Sequence, residues 1–369
     1  MKIGVLGSGI IGLWTAYELS TKGHEVTVYS NAPATATTSA SAVAVVTPLF
    51  PWSLEENPEL FETSLGWFRK TLSKFHELNI GNDFMNVIPS FEFGYLDDSG
   101  VQILEKGFPA SRLAQLNFSK TVILSMDQAV TVENELNEPQ HVTFAVNFDA
   151  EMVDTQVFLP FFVELLKSRG VQFSFFDAVK VEDLDQLPES ILFNCLGIFS
   201  QFLFPDVGTE MYPIRGQSHF IECTNEPPYY GIASGHHAVF KHKRGYYLGS
   251  YFLDKGRATW ADETQKNALS LVTLPTEDEM KLTIKFARET YVELAKQMGI
   301  DAEPLSIDSI WRVNTGVRPF RKQGPVMGSR KVSTKTIYDN FGHGAHGWTI
   351  GYGSTVDAVK IFQSEVCNG

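Results

Sequence analysis

Two stretches of this chain carry residue types spaced for chemistry. Near the start, Gly7-Ser8-Gly9-Ile10-Ile11-Gly12 is a GxGxxG series; near the end, "TGVRPFRKQGP" (Thr315 to Pro325) seats Arg318 beside a proline and two residues after a glycine. A glycine series of this kind lets a pyrophosphate approach the backbone, and a following helix offers free N–H groups and a positive dipole end to the phosphates. The alternative is a strand–helix unit whose glycines serve packing alone. An arginine presents a planar fork that takes a carboxylate in two parallel hydrogen bonds. Pro319 holds Arg318 extended, which fixes the direction of the side chain. In a chain of formal net charge −13 the competing role is a structural ion pair with one of many acids.

The flanks of the glycine series support the phosphate reading. "IGVLG" suits a buried parallel strand. "LWTAYELSTKG" has helical spacing through Leu13, Ala16, Tyr17 and Leu19 and stops at Gly23, and "EVTVY" follows as a second strand. Strand, GxGxxG, helix and strand thus fall within about 30 residues, the context of a dinucleotide site. Gly7 permits the tight turn, Gly9 the close approach of the pyrophosphate, and Gly12 the packing of helix on strand. The acid expected at the end of the second strand is missing: Tyr29 is followed by Ser30 and Asn31, which reach a ribose hydroxyl more weakly than a carboxylate. No Lys or Arg lies between Lys22 and Arg69 to meet a 2′-phosphate, which disfavours NADP, and the missing carboxylate weakens NAD. FAD remains, because its other contacts can be spread along the chain.

The remaining elements follow from periodicity and punctuation. "TATTSASAVAVVTP" (Thr35 to Pro48) reads either as a linker or as a hydroxyl-rich loop against a ligand. Helices are expected from about Pro58 to Leu78, from Asp154 or Thr155 to Gly170 despite Pro160, and from about Thr276 to Met298. The stripe Phe158, Phe162, Leu165 and Leu166 reads as plain core. "SILFNCLG" (Ser190 to Gly197) is a buried strand; "SFEFGYL", "HVTFAVNF", "SHFIEC" and the pair joined by "KHKRG" are antiparallel strands. "KTIYDNFGHGAHGWTIGYGSTVDAVKIF" reads as strand, glycine loop and helix. Nucleotide-binding pieces at the start, middle and end, with β-rich insertions between them, predict an interleaved two-domain α/β architecture with a cleft at the junction.

Composition narrows the function classes. Hydrophobic residues make up 43% and aromatic residues 12% of the 369, enough for a sizeable core. Lys and Arg total 30 against 43 Asp and Glu, so no nucleic-acid partner is expected. Cys195, Cys223 and Cys367 are too far apart for a metal knuckle or a disulfide framework. His236, His237 and His242 lack a carboxylate or cysteine at matching spacing, which predicts hairpin-surface histidines and no metal. No signal peptide or membrane span is read from the sequence, and "VCNG" is not an SKL-type signal, so a cytoplasmic protein is expected.

With these residues in view, the chain resembles the D-amino-acid oxidase family of FAD-dependent amine oxidoreductases over most of its length. "VLGSGIIGLWTAYEL" and "VTVYS" match the family's FAD fingerprint, with Ser30 where an acid is usual. "TGVRPFRKQGPV" and "YDNFGHGAHGWTIGYGSTVDA" are the most specific matches, and "YPIRGQ" is similar to the lead into the substrate domain. The resemblance implies a Rossmann-like FAD-binding domain (1–83, 149–210 and 310–369) interleaved with a β-rich α+β substrate domain (84–148 and 211–309). It implies non-covalent FAD held by Gly7, Gly9, Ile10, Ile11, Gly12 and Ser30. Thr38 and Ser39 would meet the phosphates, Val43, Ala44 and Val45 the isoalloxazine, and Val179 the adenine side, with the turn around Leu196 and Gly197 also binding the cofactor. The C-terminal loop would contribute Gly342, His343, Gly344, Gly347, Trp348 and Thr349.

The same resemblance makes Arg318 the clamp for the substrate carboxylate and the main-chain carbonyl of Ala345 the receiver of the amine. Hydride transfer from Cα to flavin N5 would give an imino acid, which water hydrolyses to a 2-oxo acid and ammonia. Oxygen or another acceptor would reoxidise the flavin. D-stereospecificity is part of the resemblance. His343 and His346 read as hydrogen-bonded loop residues rather than bases, and Arg321 and Lys322 as solvated cations. The family's active-site tyrosines do not map cleanly onto "PPYYGIASGHHAVF": Tyr229 and Tyr230 fall too early, and Ser234, His236, His237 or Ala238 stands at the later position. Glycine- or sarcosine-type amine oxidation, a flavin-binding protein without turnover and a nicotinamide-dependent dehydrogenase are the rival readings. Oligomeric state is left open, a homodimer included.

Overall fold

In the computed structural model of the protein, residues 1–48, 57–94, 122–133, 139–178, 180–207, 211–234, 237–251, 283–306 and 311–368 are described. The N-terminal unit folds as its spacing predicts. β1 (Lys2–Leu6) leads into α1 (Ile10–Thr21) and returns as β2 (Glu25–Ser30), parallel to β1 with Val5 beside Val28. Two strands from the middle of the chain extend this sheet, β7 (Gln172–Phe175) beside β2 and β8 (Ile191–Asn194) beside β1. From the C-terminal part, β15 (Lys335–Phe341) pairs parallel with β8, and β14 (Val326–Val332) closes that edge antiparallel. The order β14-β15-β8-β1-β2-β7 is a Rossmann-like sheet assembled from distant segments, with the carboxyl ends of its parallel strands on one side.

Helices cover this sheet because their apolar surface has nowhere else to go. α1 has no polar face: Leu13, Trp14, Ala16 and Leu19 are all buried, as are Thr15 and Glu18. It lies between the sheet and two more helices, α3 (Thr155–Ser168) and α5 (Gly347–Asn368). α3 is capped by Asp154, whose Oδ1 accepts from Gln156 N at 3.0 Å. α2 (Pro58–Asn79) is capped by Asn57 and packs on α5. Aromatic rings fill the shared core: Phe84 and Phe75 lie edge to face 4.8 and 5.2 Å from Phe158, and Trp14 sits tilted 4.5 Å from Phe162. Such pairs add to the stabilisation from burial itself.

Among the described residues the second sheet has nine strands. Its path runs from β13 (Trp311–Phe320) through β9 (Tyr212–Glu222), β12 (Gly245–Tyr251), β11 (His237–His242) and β10 (Tyr230–Ser234). It continues through β4 (Met85–Gly94) and β6 (Pro139–Val153) to β3 (Val45–Val46), with β5 (Val122–Glu133) also on β6. The "KHKRG" hairpin forms as expected, between β11 and β12. β3 and β13, drawn from segments 1–83 and 310–369, both run in this larger sheet. The helix expected from Thr276 begins outside the described residues; from Thr283 it is helical, widens to a π turn at Phe286–Thr290, and ends as α4 (Tyr291–Gln297).

Alternation along the strands separates two faces of the larger sheet. Ile221, Ile232, Val239 and Leu248 pack on Tyr291 and Leu294 of α4. Phe220, Phe240, Tyr247, Ile88 and Met152 form the opposite face, which meets Val43 and Val45. An ion pair between Arg244, in the β11–β12 turn, and Asp154, the α3 cap, fastens this sheet to the first unit. No helix among the described residues is long and apolar enough to cross a membrane.

The tightest helix contact gives a direct test of this packing. A Cβ at Gly353 of α5 would lie 2.3 Å from the backbone of Trp67 in α2. Gly353→Ala must push the two helices apart, at a cost of about 1–3 kcal/mol. A lowered thermal midpoint is expected; a midpoint equal to wild type would contradict the packing.

Candidate functional site

The turn between β1 and α1 cannot carry side chains at its critical points. Gly7 has φ +104° and donates its N–H to Tyr29 O at 2.8 Å. A Cβ on Gly12 would lie 1.9 Å from Gly7 O, so helix and turn touch backbone to backbone. Gly9, the N-cap of α1, is extended and brings the helix start close to Ser39. The first N–H groups of a helix have no carbonyl of their own. Ile10 N, the first of these, donates to Ser39 Oγ at 2.9 Å. The side chains of Ile10 and Ile11 rest against Gly347 at the start of α5, so two helix N-termini meet here. Ser30 ends β2; its hydroxyl accepts from Ser8 Oγ and donates to Ala32 O.

The hydroxyl-rich segment after β2 is a loop stitched to the larger sheet and to the starts of α1 and α5, not a free linker. Ser39 O accepts from the indole Nε1 of Trp348 at 3.1 Å. Thr38 sits against Gly316, where a Cβ would meet its Cγ2 at 3.0 Å. Ser41 Oγ donates to Thr315 O, and Ser218 Oγ of β9 donates to Ser41 O. Ala44 has φ +56°, a left-handed conformation that costs a non-glycine residue about 1–2 kcal/mol. That turn swings the chain from Val43, which faces Gly249 of the larger sheet, into Val45 and the short strand β3.

Arg318 lies on β13 in the register Gly316–Gly216, Arg318–Ile214. Its guanidinium lies flat over Gly216: a Cβ there would be 2.7 Å from Cζ and Nη2 and 2.8 Å from Nη1. Gly216 belongs to "YPIRGQ", and a glycine inside a strand marks close approach of something else; that signal was in the sequence. The next residue, Pro319, ties three segments together. Its carbonyl accepts from Gly344 N at 2.9 Å. Its ring is 3.8 Å from where a Cβ of Gly197 would be, just after Leu196 at the end of β8. The arginine, the Leu196–Gly197 turn and the C-terminal glycine loop therefore meet at one point. Val179 lies outside the described residues.

The C-terminal loop sits on this junction. Gly342 lies under the stem of Arg321, which packs there and reaches Gly324 O instead of standing in solvent; Lys322 is exposed as expected. Ala345 is exposed between Gly344 and His346. Trp348 is buried and stacks on Phe75 at 6.0 Å, while Thr349, also buried, donates its N–H to His346 O. His343 is buried, and its Nε2 meets Ser354 Oγ at 2.8 Å; because Ser354 donates onward to Gly351 O, the ring is the Nε2–H tautomer and donates to Ser354. Burial, with His346 as a lesser cause, pushes its pKa down to about 3. A neutral, donating histidine of this kind serves structure and not base catalysis.

The tyrosine region turns away from this junction. Tyr230 OH meets Tyr291 OH at 2.6 Å in the core under α4, and Tyr229 OH donates to Asn225 O. Ala238 and Phe240 of that stretch lie on the face of the larger sheet that meets Val43. His236 lies outside the described residues. The surface expectation fails for His242, which is buried with Nε2 3.2 Å from Asn86 Nδ2, and His237 is half-buried and stacks on Phe286. These two rings leave β11 on opposite faces, so they do not converge.

The pKa of His343 has a stability consequence. The unfolded chain takes up a proton near pH 6.5, whereas the folded one refuses it until about 3. The neutral ring therefore favours folding above pH ~6.5, and that contribution is lost as pH falls toward 3. His343→Gln removes the titration. Its deficit in thermal midpoint relative to wild type should be largest at pH 7 and shrink at pH 4; a deficit constant with pH would contradict the assignment.

Comparison with known proteins identifies relatives along nearly the whole chain. The chain is 21% identical over 370 residues to D-aspartate oxidase 2 of Caenorhabditis briggsae, covering 98% of this chain and 97% of that protein. It is 24% identical over 429 residues to a D-amino acid dehydrogenase of Vibrio cholerae, covering 96% and 93%. Glycine oxidase from Bacillus cereus has a similar fold, with TM-score 0.65, 14% identity and coverage of 98% and 97%. The model of the family described as DAO, FAD dependent oxidoreductase, matches residues 2–355. The chain belongs to that family of FAD-dependent oxidoreductases.

Proposed function

We propose that the protein oxidises the amine of a D-amino acid to the imino acid, which water hydrolyses to a 2-oxo acid and ammonia. The observation that carries this reading is the fork of Arg318. It lies over Gly216, one residue from the Pro319–Gly344 bond that brings in the C-terminal loop. A half-buried guanidinium in that seat suits a carboxylate, and each charge-assisted hydrogen bond contributes roughly 1.5–3 kcal/mol. The Ala345 carbonyl, on the next residue of that loop, is the group we assign to the substrate amine. With the carboxylate and amine both held, the Cα–H has one direction left. When bound, FAD supplies the acceptor for the hydride lost from Cα, and oxygen or another acceptor takes the electrons afterwards.

The chain's own groups suit FAD. Gly7 and Gly12 let the turn close backbone to backbone against Cys195 and α1, and Gly9 presents bare backbone at a helix start whose N–H groups favour a pyrophosphate. Ser39 places its hydroxyl at that helix start, and we assign the neighbouring Thr38 to the phosphates with it. A second helix N-terminus, that of α5 at Gly347, would offer partial positive charge, which suits a flavin that becomes anionic on reduction. We assign FAD to non-covalent binding. Cys195 is buried, contacts Thr15 and has its thiol pushed up to about 12 by burial, Cys223 donates to Asn225, and Cys367 stands near the end of α5. In this division of labour the smaller sheet carries FAD and the larger sheet the substrate. The D-configuration is supported by the names of the sequence relatives. Glycine oxidase shares the fold, and a fold alone does not choose the amine.

Arg318→Ala should raise KM for D-amino acids by about tenfold to a hundredfold, with the flavin spectrum intact. Arg318→Lys keeps the charge but not the fork and should recover part of the loss. Gly216→Ala forces the guanidinium off its seat and should also raise KM without releasing FAD. Steady-state kinetics with flavin absorbance read all three; unchanged KM in Arg318→Ala would remove the carboxylate assignment.

A further inference from the structure

A dinucleotide seated on this glycine turn places its adenosine ribose at the carboxyl end of β2, where a carboxylate ordinarily accepts from the ribose hydroxyls. Here β2 ends in Ser30, and that hydroxyl is engaged within the turn: it accepts from Ser8 Oγ at 2.9 Å and donates to Ala32 O at 2.7 Å. Ser8 is itself buried and also within reach of Ala32 O, at 2.9 Å. The acid missing from β2 stands one strand away. β7 runs parallel to β2 with Phe175 beside Ser30, and Phe176 N donates to Ser30 O at 3.2 Å, so both strands end at the same edge. Two residues past that pairing comes Asp177. Its Oδ1 accepts from Asn31 Nδ2 at 2.8 Å, and Asn31 is the residue that follows Ser30.

A carboxylate has about four acceptor positions, so one bond to Asn31 leaves it able to take two more donors. The Asn31 amide turns an otherwise mobile, exposed side chain toward the end of β2 before any ligand arrives. Pre-alignment of this kind lowers the ordering cost of binding. We propose that Asp177, positioned by Asn31, supplies the carboxylate that receives the adenosine-ribose hydroxyls of FAD, in place of an acid on β2. The assignment rests on the FAD reading above. It also explains how Ser30 can stand where an acid is usual without loss of ribose recognition.

The test is binding, read by flavin fluorescence as apoprotein prepared from the holoprotein is titrated. The ligands are FAD, FMN and an FAD analogue lacking the adenosine 2′-hydroxyl. Asp177→Asn should weaken FAD by on the order of tenfold. It should leave FMN unchanged and affect the 2′-deoxy analogue much less than FAD, because the interaction removed by the mutation is already missing there. Asn31→Ala should weaken FAD in the same direction by less. FAD affinity equal to wild type in Asp177→Asn overturns the proposal, and so does an equal loss for all three ligands, which would mean a folding defect at the β7 end. A wild-type apoprotein that binds neither FAD nor FMN would overturn the cofactor reading along with it.

Discussion

The hydrogen bond from Gly344 N to Pro319 O holds the C-terminal loop against the arginine strand, and most of the site depends on it. Pro319 cannot donate from its own nitrogen, but its carbonyl is free to accept and its ring makes the backbone stiff. One residue before it, Arg318 is therefore aimed by rigid backbone; one residue beyond Gly344, Ala345 is exposed at the same junction. On the other side the proline ring touches the turn at Gly197 that ends β8. The smaller sheet, the larger sheet and the loop before α5 are thus registered to one another by a few atoms around one residue.

The hydroxyl-rich loop makes the second connection. Small side chains let residues 38–44 pass between the glycine turn and the larger sheet, and their hydroxyls satisfy backbone groups on both sides. Ser39 accepts from Ile10 N, Ser41 donates to Thr315 O, and Ser218 donates back to Ser41 O. A larger residue at position 38 would press on Gly316. The left-handed Ala44 is strained backbone held in place by its surroundings, including the bond from Val153 N to Ala44 O. Strain retained at such a position commonly accompanies a binding surface.

Much of this was legible in the residues. The GxGxxG turn, its flanking strands, the Asp154-capped helix and the "KHKRG" hairpin depend on local patterns, and local patterns survive folding. The arginine stood out because proline and glycine restrict the backbone around it. Other features depend on which face of a strand meets which neighbour, and alternation alone does not say. Tyr230 and His242 have opposite parity on adjacent strands; one turns into the core under α4 and the other into the contact with Asn86. β13 comes just before β14 and β15 of the smaller sheet yet pairs with β9, because ten residues of register with β9 outweigh proximity in sequence. The role of Gly216 emerges only once Arg318 is seen lying over it.

The most direct test of the account is the visible spectrum of the purified, FAD-loaded protein under anaerobic conditions, as D-amino acids, their L-enantiomers, glycine and sarcosine are added separately. The account predicts that the oxidised flavin band bleaches with D-amino acids and stays with their L-enantiomers. A flavin that none of these compounds reduces, or that L-amino acids alone reduce, would contradict it.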